Sequence, residues 1–273
     1  MSEGRVIRGL VADGRARVLA VVCPEVAEEI RLAHGLTEQA AKICAEGVVA
    51  TLLLSAHVKG DERLMVQVQG REPRFGFHGE ARADGSVRAR MSPTWMPWAE
   101  SVQGALLAIK WEGDKELYRG AAELGDSFEA SLQHYLVQSQ QSTGVVRLSA
   151  TFDAEGRVKE ASGLLVELLG GQWSSEGFAH WIDPLHQADL TETMTQFAFA
   201  RVLGTEVQVL EARKVTLLRT TVARVEGMLL ALGADELRAM AEDPGEARVT
   251  CQFTNEEFVV SGERLRALAD QLA

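Results

Sequence analysis

His78 and Glu80 stand two residues apart as His-x-Glu, the half-motif with which zinc deaminases supply one metal ligand and one acid–base carboxylate. The completing Pro-Cys-x-x-Cys is absent, so no further donors follow, and the pair reads as the polar face of a β-strand. His180 and His186 are six residues apart, which puts them on different sides of a helix and away from a shared ion. Ser139, with Gln140 and Gln141 near a predicted helix end, offers a hydroxyl for which the sequence names no base. Cys23, Cys44 and Cys251 are far apart and odd in number, against a disulfide framework and in favour of a reducing, cytoplasmic compartment. Nucleophile elbow, phosphate loop, dinucleotide fingerprint and His-Glu-x-x-His are all missing. The expectation is a protein that is not an enzyme and holds no cofactor.

The remaining concentration of unusual residue types is apolar. Trp173, Phe178, Trp181, Ile182, Phe197 and Phe199 crowd one stretch. They either pack on the preceding domain or form an exposable surface for unfolded chains, since large apolar patches mark interaction sites.

Apolar residues at 46% and charged residues at 25% in 273 residues describe a folded main domain with one or two smaller units. A net charge of -11 and the lack of a dense Lys/Arg run disfavour nucleic acid as a partner. The longest apolar run, Gly47 to Ala56, is about half of the roughly 20 residues a bilayer span needs, and charges scattered through the start argue against a signal peptide. No membrane association is expected.

The elements expected to position these residues begin with a hairpin, Gly4 to Val11 and Arg15 to Cys23, turned at Asp13-Gly14. Pro24 starts a helix that Gly35 ends, and Thr37 caps a second helix with Ala40, Cys44, Val48 and Leu52 at four-residue spacing. Strands follow from Leu64 to Val68, Phe75 to Ala81, Val87 to Met91, Ala105 to Trp111 and Leu117 to Ala122. Asp126 and Glu129 suggest a capping box for a helix reaching about Gln141, before strands Val145 to Phe152 and Val158 to Leu168. Asp183-Pro184 suggests a helix start within a linker. The tail reads as a strand Val207 to Leu218, a helix Val222 to Leu232 with Gly233 as C-cap, a helix capped by Asp235, a strand Ala247 to Phe253, a turn at Asn255, a strand to Val260 and a helix from Ser261. The fold class is therefore α+β: an N-terminal sheet-and-helix domain at 1–172, a helical linker at 173–205 and a small α+β domain at 206–273.

Leu52 to Leu64, containing Ser55-Ala56-His57-Val58-Lys59-Gly60-Asp61-Glu62-Arg63 and followed by Val66 to Gly70, resembles the core signature of the heat-shock protein 33 family. Tyr118, Gly120, Tyr135 and Ser139-Gln140-Gln141 are similar to that family's strand and helix pattern, with Gln140 where Glu is usual. Val249 to Phe258 resembles the family's C-terminal zinc strand, and the likeness spans essentially the whole chain. The resemblance implies a holdase chaperone in which four cysteines hold zinc and oxidation exposes a client-binding surface, with dimerisation on activation. Clients are unfolding proteins, and the six aromatic and apolar linker residues above are the candidate client contacts. Carried over by position, the ligands fall at Leu218, Thr220, Cys251 and Thr254, of which one is a thiol. Leu has no donor and Thr hydroxyls are poor zinc ligands, so no metal is expected and the redox switch is expected to be lost. The tail would then rely on Leu217, Leu218, Met228, Leu232, Val249, Phe253, Phe258, Val260, Leu265 and Leu268 for its core. A chaperone-derived adaptor for one folded partner is the alternative.

Overall fold

The computed structural model describes residues 4–11, 14–72, 75–91, 103–170, 183, 185 and 206–272. The chain divides into two compact units after Leu217.

The first unit is two sheets with helix α2 (Glu38–Ser55) between them. Strands β1 (Arg5–Val11), β2 (Ala16–Val22), β8 (Gly144–Phe152), β9 (Val158–Leu168) and β10 (Gln208–Lys214) form a five-stranded sheet in the order β10-β1-β2-β9-β8. Strands β3 (Glu62–Glu72), β4 (Phe75–Arg82), β5 (Ser86–Met91), β6 (Gln103–Glu112), β7 (Lys115–Glu123) and β11 (Thr216–Leu217) form a six-stranded sheet in the order β11-β5-β4-β3-β6-β7. α2 is buried on nearly every side, as its all-round apolar sequence requires, and it meets Val66, Ala81 and Val87 of one sheet and Leu19, Val21 and Leu165 of the other in one core. Glycines let it approach. A Cβ on Gly163 would stand 2.5 Å from Val49 Cγ1, and one on Gly79 would stand 2.3 Å from Thr51 Oγ1.

Helix α1 (Pro24–His34) begins at proline and ends at Gly35 in the left-handed conformation, as the sequence predicts. Thr37 occupies the N-cap of α2 but makes no side-chain capping bond. Helix α3 (Phe128–Gln138) departs from expectation: Ser127, not Asp126, caps it, accepting from the Ala130 amide. Glu129 is thereby freed for another task, and its Oε2 accepts the Leu148 amide of edge strand β8 at 2.6 Å. Gln133 does the same one turn on, donating to Gly144 O and accepting from Val146 N. Side chains of α3 thus satisfy an edge that would otherwise invite pairing with another chain.

Within the same core region Glu46 is pushed up to about 7 by burial and by Glu129, against the opposing Lys42 ammonium. The folded state therefore keeps a proton that the unfolded chain releases between about pH 4.5 and 7, so stability falls as pH rises through that window. Glu46→Gln is expected to stabilise the chain by about 2–3 kcal/mol at pH 8 and hardly at all at pH 4.5. Denaturant midpoints at the two pH values check this, and equal gains at both would refute it.

The unit boundary lies later than the sequence suggests. The strand assigned to the tail is β10, which pairs antiparallel with β1 from Arg5↔Lys214 to Leu10↔Gln208. β11 then pairs in parallel with β5 at Thr216↔Ser86. Both belong to the first unit, because a strand's own residues carry no label for the sheet whose edge it completes.

The second unit holds helices α4 (Val222–Leu230), α5 (Ala234–Glu242) and α6 (Gly262–Asp270) with the hairpin β12 (Glu246–Thr250) and β13 (Glu257–Ser261). Thr221 and Ser261 cap α4 and α6 through bonds from Arg224 N and Arg264 N. Gly233, at φ 92°, is the N-cap of α5 rather than the C-cap of α4, and Asp235 lies in the first turn of α5 rather than capping it. The core is Val225, Leu229, Leu237, Ala241, Ala247, Val260, Leu265, Leu268 and Ala269. Val249 and Phe258 pack at its margin. Met228 and Leu232, expected in this core, are 58% and 53% exposed, and Leu217 packs on the first unit's core. Val225 and Leu229, one turn apart, form the buried side of α4 and leave Met228 on the neighbouring, solvated side.

Candidate functional site

The five-stranded sheet is apolar on both faces. Val6, Leu19, Val21 and Leu165 point to α2, while the alternate residues Ile7, Val18, Ala20, Val22, Leu164 and Val166 form an outer face that is also buried. Continuous rather than alternating apolar runs in β2 and β9 are what a strand buried on two faces requires, and they are the sequence signal for this surface. Leu185, only 1% exposed, packs on the outer face. Its carbonyl accepts from Arg147 Nη1 of β8. Asp183 and Leu185 are helical, in agreement with the helix start read from the sequence, while Pro184 lies outside the described residues. Trp173, Phe178, Trp181, Ile182, Phe197 and Phe199 also lie outside them.

In the second unit three of the four positions carried over as ligands share hydrogen bonds. Thr220 Oγ1 is 3.1 Å from Cys251 Sγ, and Thr254 Oγ1 donates to Glu256 Oε2 at 3.2 Å. Arg219 Nη1 donates to the other oxygen of Glu256 at 2.5 Å. Cys251 N donates to Glu256 O and Asn255 N to Cys251 O, closing the turn, in which Asn255 takes φ 55°. Burial opposes ionisation of Cys251, but the hydroxyls of Thr220 and Thr254 and the amides of Phe253 and Thr254 outweigh it and lower its pKa. One thiol, two hydroxyls and the donorless Leu218 do not make a tetrahedral zinc site, whose ligands are thiolates, imidazoles or carboxylates. Among the described residues no three His, Cys, Asp or Glu side chains group to hold a metal ion. Cys23 and Cys44 are buried in the first unit's core, where desolvation raises both thiols.

Of the other residues singled out in the sequence, His180 and His186 lie outside the described residues and the rest are placed. His78, on β4, lies 3.5 Å from Gln67 Nε2, and burial, then Arg90, push it down to about 4. Glu80 is taken by Arg88 at 2.6 Å, so this His-x-Glu pair is a strand's polar side. Ser139 Oγ is 3.0 Å from Tyr118 OH, which accepts from Tyr135 OH at 3.4 Å. A Cβ on Gly120 would stand 2.2 Å from that Ser139 oxygen, so the Tyr-x-Gly…Tyr…Ser pattern is a packing constellation joining β7 to α3. The stretch from Leu52 forms the end of α2 and the turn into β3, where Glu62 accepts from Lys59 N and pairs with Lys110 at 2.8 Å. His57 from that turn stands 3.6 Å from Glu167, which Arg17 grips at 2.7 Å and Ser142 at 3.0 Å. Burial alone would raise Glu167, yet His57 and Arg17 pull it down to about 2.

Together these features define a two-unit α+β protein whose larger unit carries a second, apolar sheet face, and no helix among the described residues is long and apolar enough to cross a membrane. The family model described as Hsp33 protein matches residues 4–261, and the chain belongs to the Hsp33 family. It is 26% identical over 289 residues to the 33 kDa chaperonin of Bacillus subtilis, covering 97% of this chain and 98% of that one. To the 33 kDa chaperonin of Syntrophotalea carbinolica it is 29% identical over 293 residues, covering 97% and 99%. The crystal structure of the 33 kDa chaperonin (heat shock protein 33 homolog) of Thermotoga maritima superposes with a TM-score of 0.83 at 20% identity, covering 99% of each chain, which establishes the fold. Family membership supports a chaperone role.

Proposed function

We propose that the chain is a holdase-type chaperone of the cytoplasm, independent of ATP and without catalytic activity, whose zinc and thiol switch has been lost. Its clients are unfolding proteins, held through the outer face of the five-stranded sheet and through Trp173, Phe178, Trp181, Ile182, Phe197 and Phe199. The observation that carries the reading is the apolar outer face itself, since a sheet needs only one such face to fold and a second is surface available for exchange. Neither nucleic acid nor membrane is a partner in this reading, and dimerisation accompanies activity. The test is suppression of aggregation of a heat-unfolded client without nucleotide. Failure at every temperature would defeat the proposal, and capture of one stoichiometric folded partner would replace it with an adaptor.

Loss of the switch has its own expected result. The purified protein carries well under one equivalent of zinc, and peroxide leaves client binding unchanged, because a disulfide needs Cα atoms within about 7 Å and Cys251 has no second thiol in its unit. Elemental analysis showing chelator-resistant stoichiometric zinc would refute the first part. A peroxide-dependent rise in activity that Cys251→Ser abolishes would refute the second.

A further inference from the structure

The six-stranded sheet turns a different chemistry away from α2. Leu64, Val66, Val68, Phe77, Val87 and Ala89 enter the core, so the alternate residues of β3, β4 and β5 line the opposite side. They include Arg63, Gln67 and Gln69, then His78, Glu80 and Arg82, then Arg88 and Arg90. Four arginines stand there with one carboxylate, on a chain whose net charge is -11. That carboxylate, Glu80, accepts from Arg88 at 2.6 Å. Next to this pair the sheet carries a cleft of about 190 Å³, lined by Gln67, Gln69, His78 and Arg90 together with Gly76 and Met91. The volume is a few times the roughly 30 Å³ share of a water molecule and below the roughly 300–1,000 Å³ of pockets for drug-sized ligands. It suits a compact ion.

The lining decides the sign of that ion. None of the described lining residues is acidic. Arg90 is permanently charged and carries five donors, and each glutamine amide brings two more. His78 lies directly opposite Arg90 in the ladder and 3.5 Å from Gln67 Nε2. Its ring carries one N–H when neutral and two when charged. Burial first, then Arg90, with Arg88 adding and Glu80 opposing, push His78 down to about 4, while β3 faces it with the uncharged Gln67. An anion in the cleft offsets the arginines and raises it again. Converging donors around a fixed guanidinium are what oxyanions bind.

We propose that this cleft on the six-stranded sheet binds a small tetrahedral oxyanion of the sulfate and phosphate class, held by Arg90 and His78 with the side-chain amides of Gln67 and Gln69. The site stands apart from the five-stranded sheet and does not depend on the chaperone reading.

The test titrates sodium sulfate into the full chain, against sodium chloride at matched ionic strength, and follows side-chain resonances. Sulfate should give saturable shifts at the Gln67 and Gln69 amides and move the titration midpoint of His78 upward by about one unit or more. Loss of a charge-assisted contact weakens binding by about ten- to a hundredfold, and Arg90→Gln should do so. Gln69 is exposed, so Gln69→Glu sets a like charge at the mouth of the cleft while leaving the core intact, and it should weaken binding by about tenfold or more. Should Arg90→Gln fail to fold, as the α2 resonances would show, Gln69→Glu decides. Shifts that chloride reproduces, a His78 midpoint that sulfate leaves in place, or wild-type affinity in Gln69→Glu each overturn the site. Phenyl phosphate then separates the sources of the ligand. Affinity equal to that of inorganic phosphate assigns the cleft to a phosphoryl group carried on a larger molecule, and much weaker affinity assigns it to the free ion, the site standing in both cases.

Discussion

A chain ending at Leu217 is expected to fold, and a chain ending at Gly204 is expected not to. The shorter cut falls at the boundary the sequence suggests, yet it removes β10 from the edge of the five-stranded sheet and β11 from the edge of the six-stranded one. β1 then becomes an edge along the register from Arg5↔Lys214 to Leu10↔Gln208. Val6 and Ile7, now 5% and 7% exposed, sit on the strand that loses its neighbour. With about 1 kcal/mol for each ladder hydrogen bond and a total stability of about 5–15 kcal/mol for such a domain, loss of most of these contacts is enough to unfold or aggregate the unit. Circular dichroism melts of the two truncations give the answer, and midpoints within a few degrees of each other would contradict it. The longer truncation has a second use. If the second unit restrains the chaperone surface, removing it from Leu218 onward raises client binding, and an adaptor using that unit as its contact would instead lose its partner.

Leu185→Asp leaves the outer face of the five-stranded sheet permanently open. An aspartate at a site 1% exposed within this apolar cluster loses the leucine's packing, and even with the Arg147 guanidinium nearby the burial of its carboxylate costs several kcal/mol. Residue 185 therefore loses its place in the outer-face cluster, while the inner core around α2 does not involve Leu185 and keeps its packing. Binding of a fluorescent apolar dye at 25 °C should rise severalfold over wild type, with aggregation suppression already maximal without heating. Dye binding equal to wild type, in a protein with an unchanged melting midpoint, would show that residue 185 does not close the face.

The order of elements was legible in the sequence wherever local chemistry punctuates it. Pro24 and Gly35 bound α1, and Asn255 turns the tail hairpin. These residues act through their own backbone preferences, which no distant contact overrides. Caps were less legible, since Asp126 and Ser127 are neighbours of types that both cap helices, and nothing local to them shows that Ser127 takes the N-cap of α3 while Glu129 accepts from Leu148. The tail's core was misassigned at Met228 and Leu232 for a similar reason. Helical spacing shows that α4 is amphipathic, but its apolar arc is broad, and the helices and hairpin packed on it decide which part is buried.

By itself the sequence determined the family pattern, the α+β class and that Leu218, Thr220 and Thr254 carry no thiol, because residue identity alone decides whether a thiol exists. Tertiary structure alone decided which sheet β10 completes and that Arg147 reaches the carbonyl of Leu185. Strand pairing and a hydrogen bond spanning 38 residues depend on where chain segments meet in space, and that meeting is set by the whole core rather than by any local run of residues.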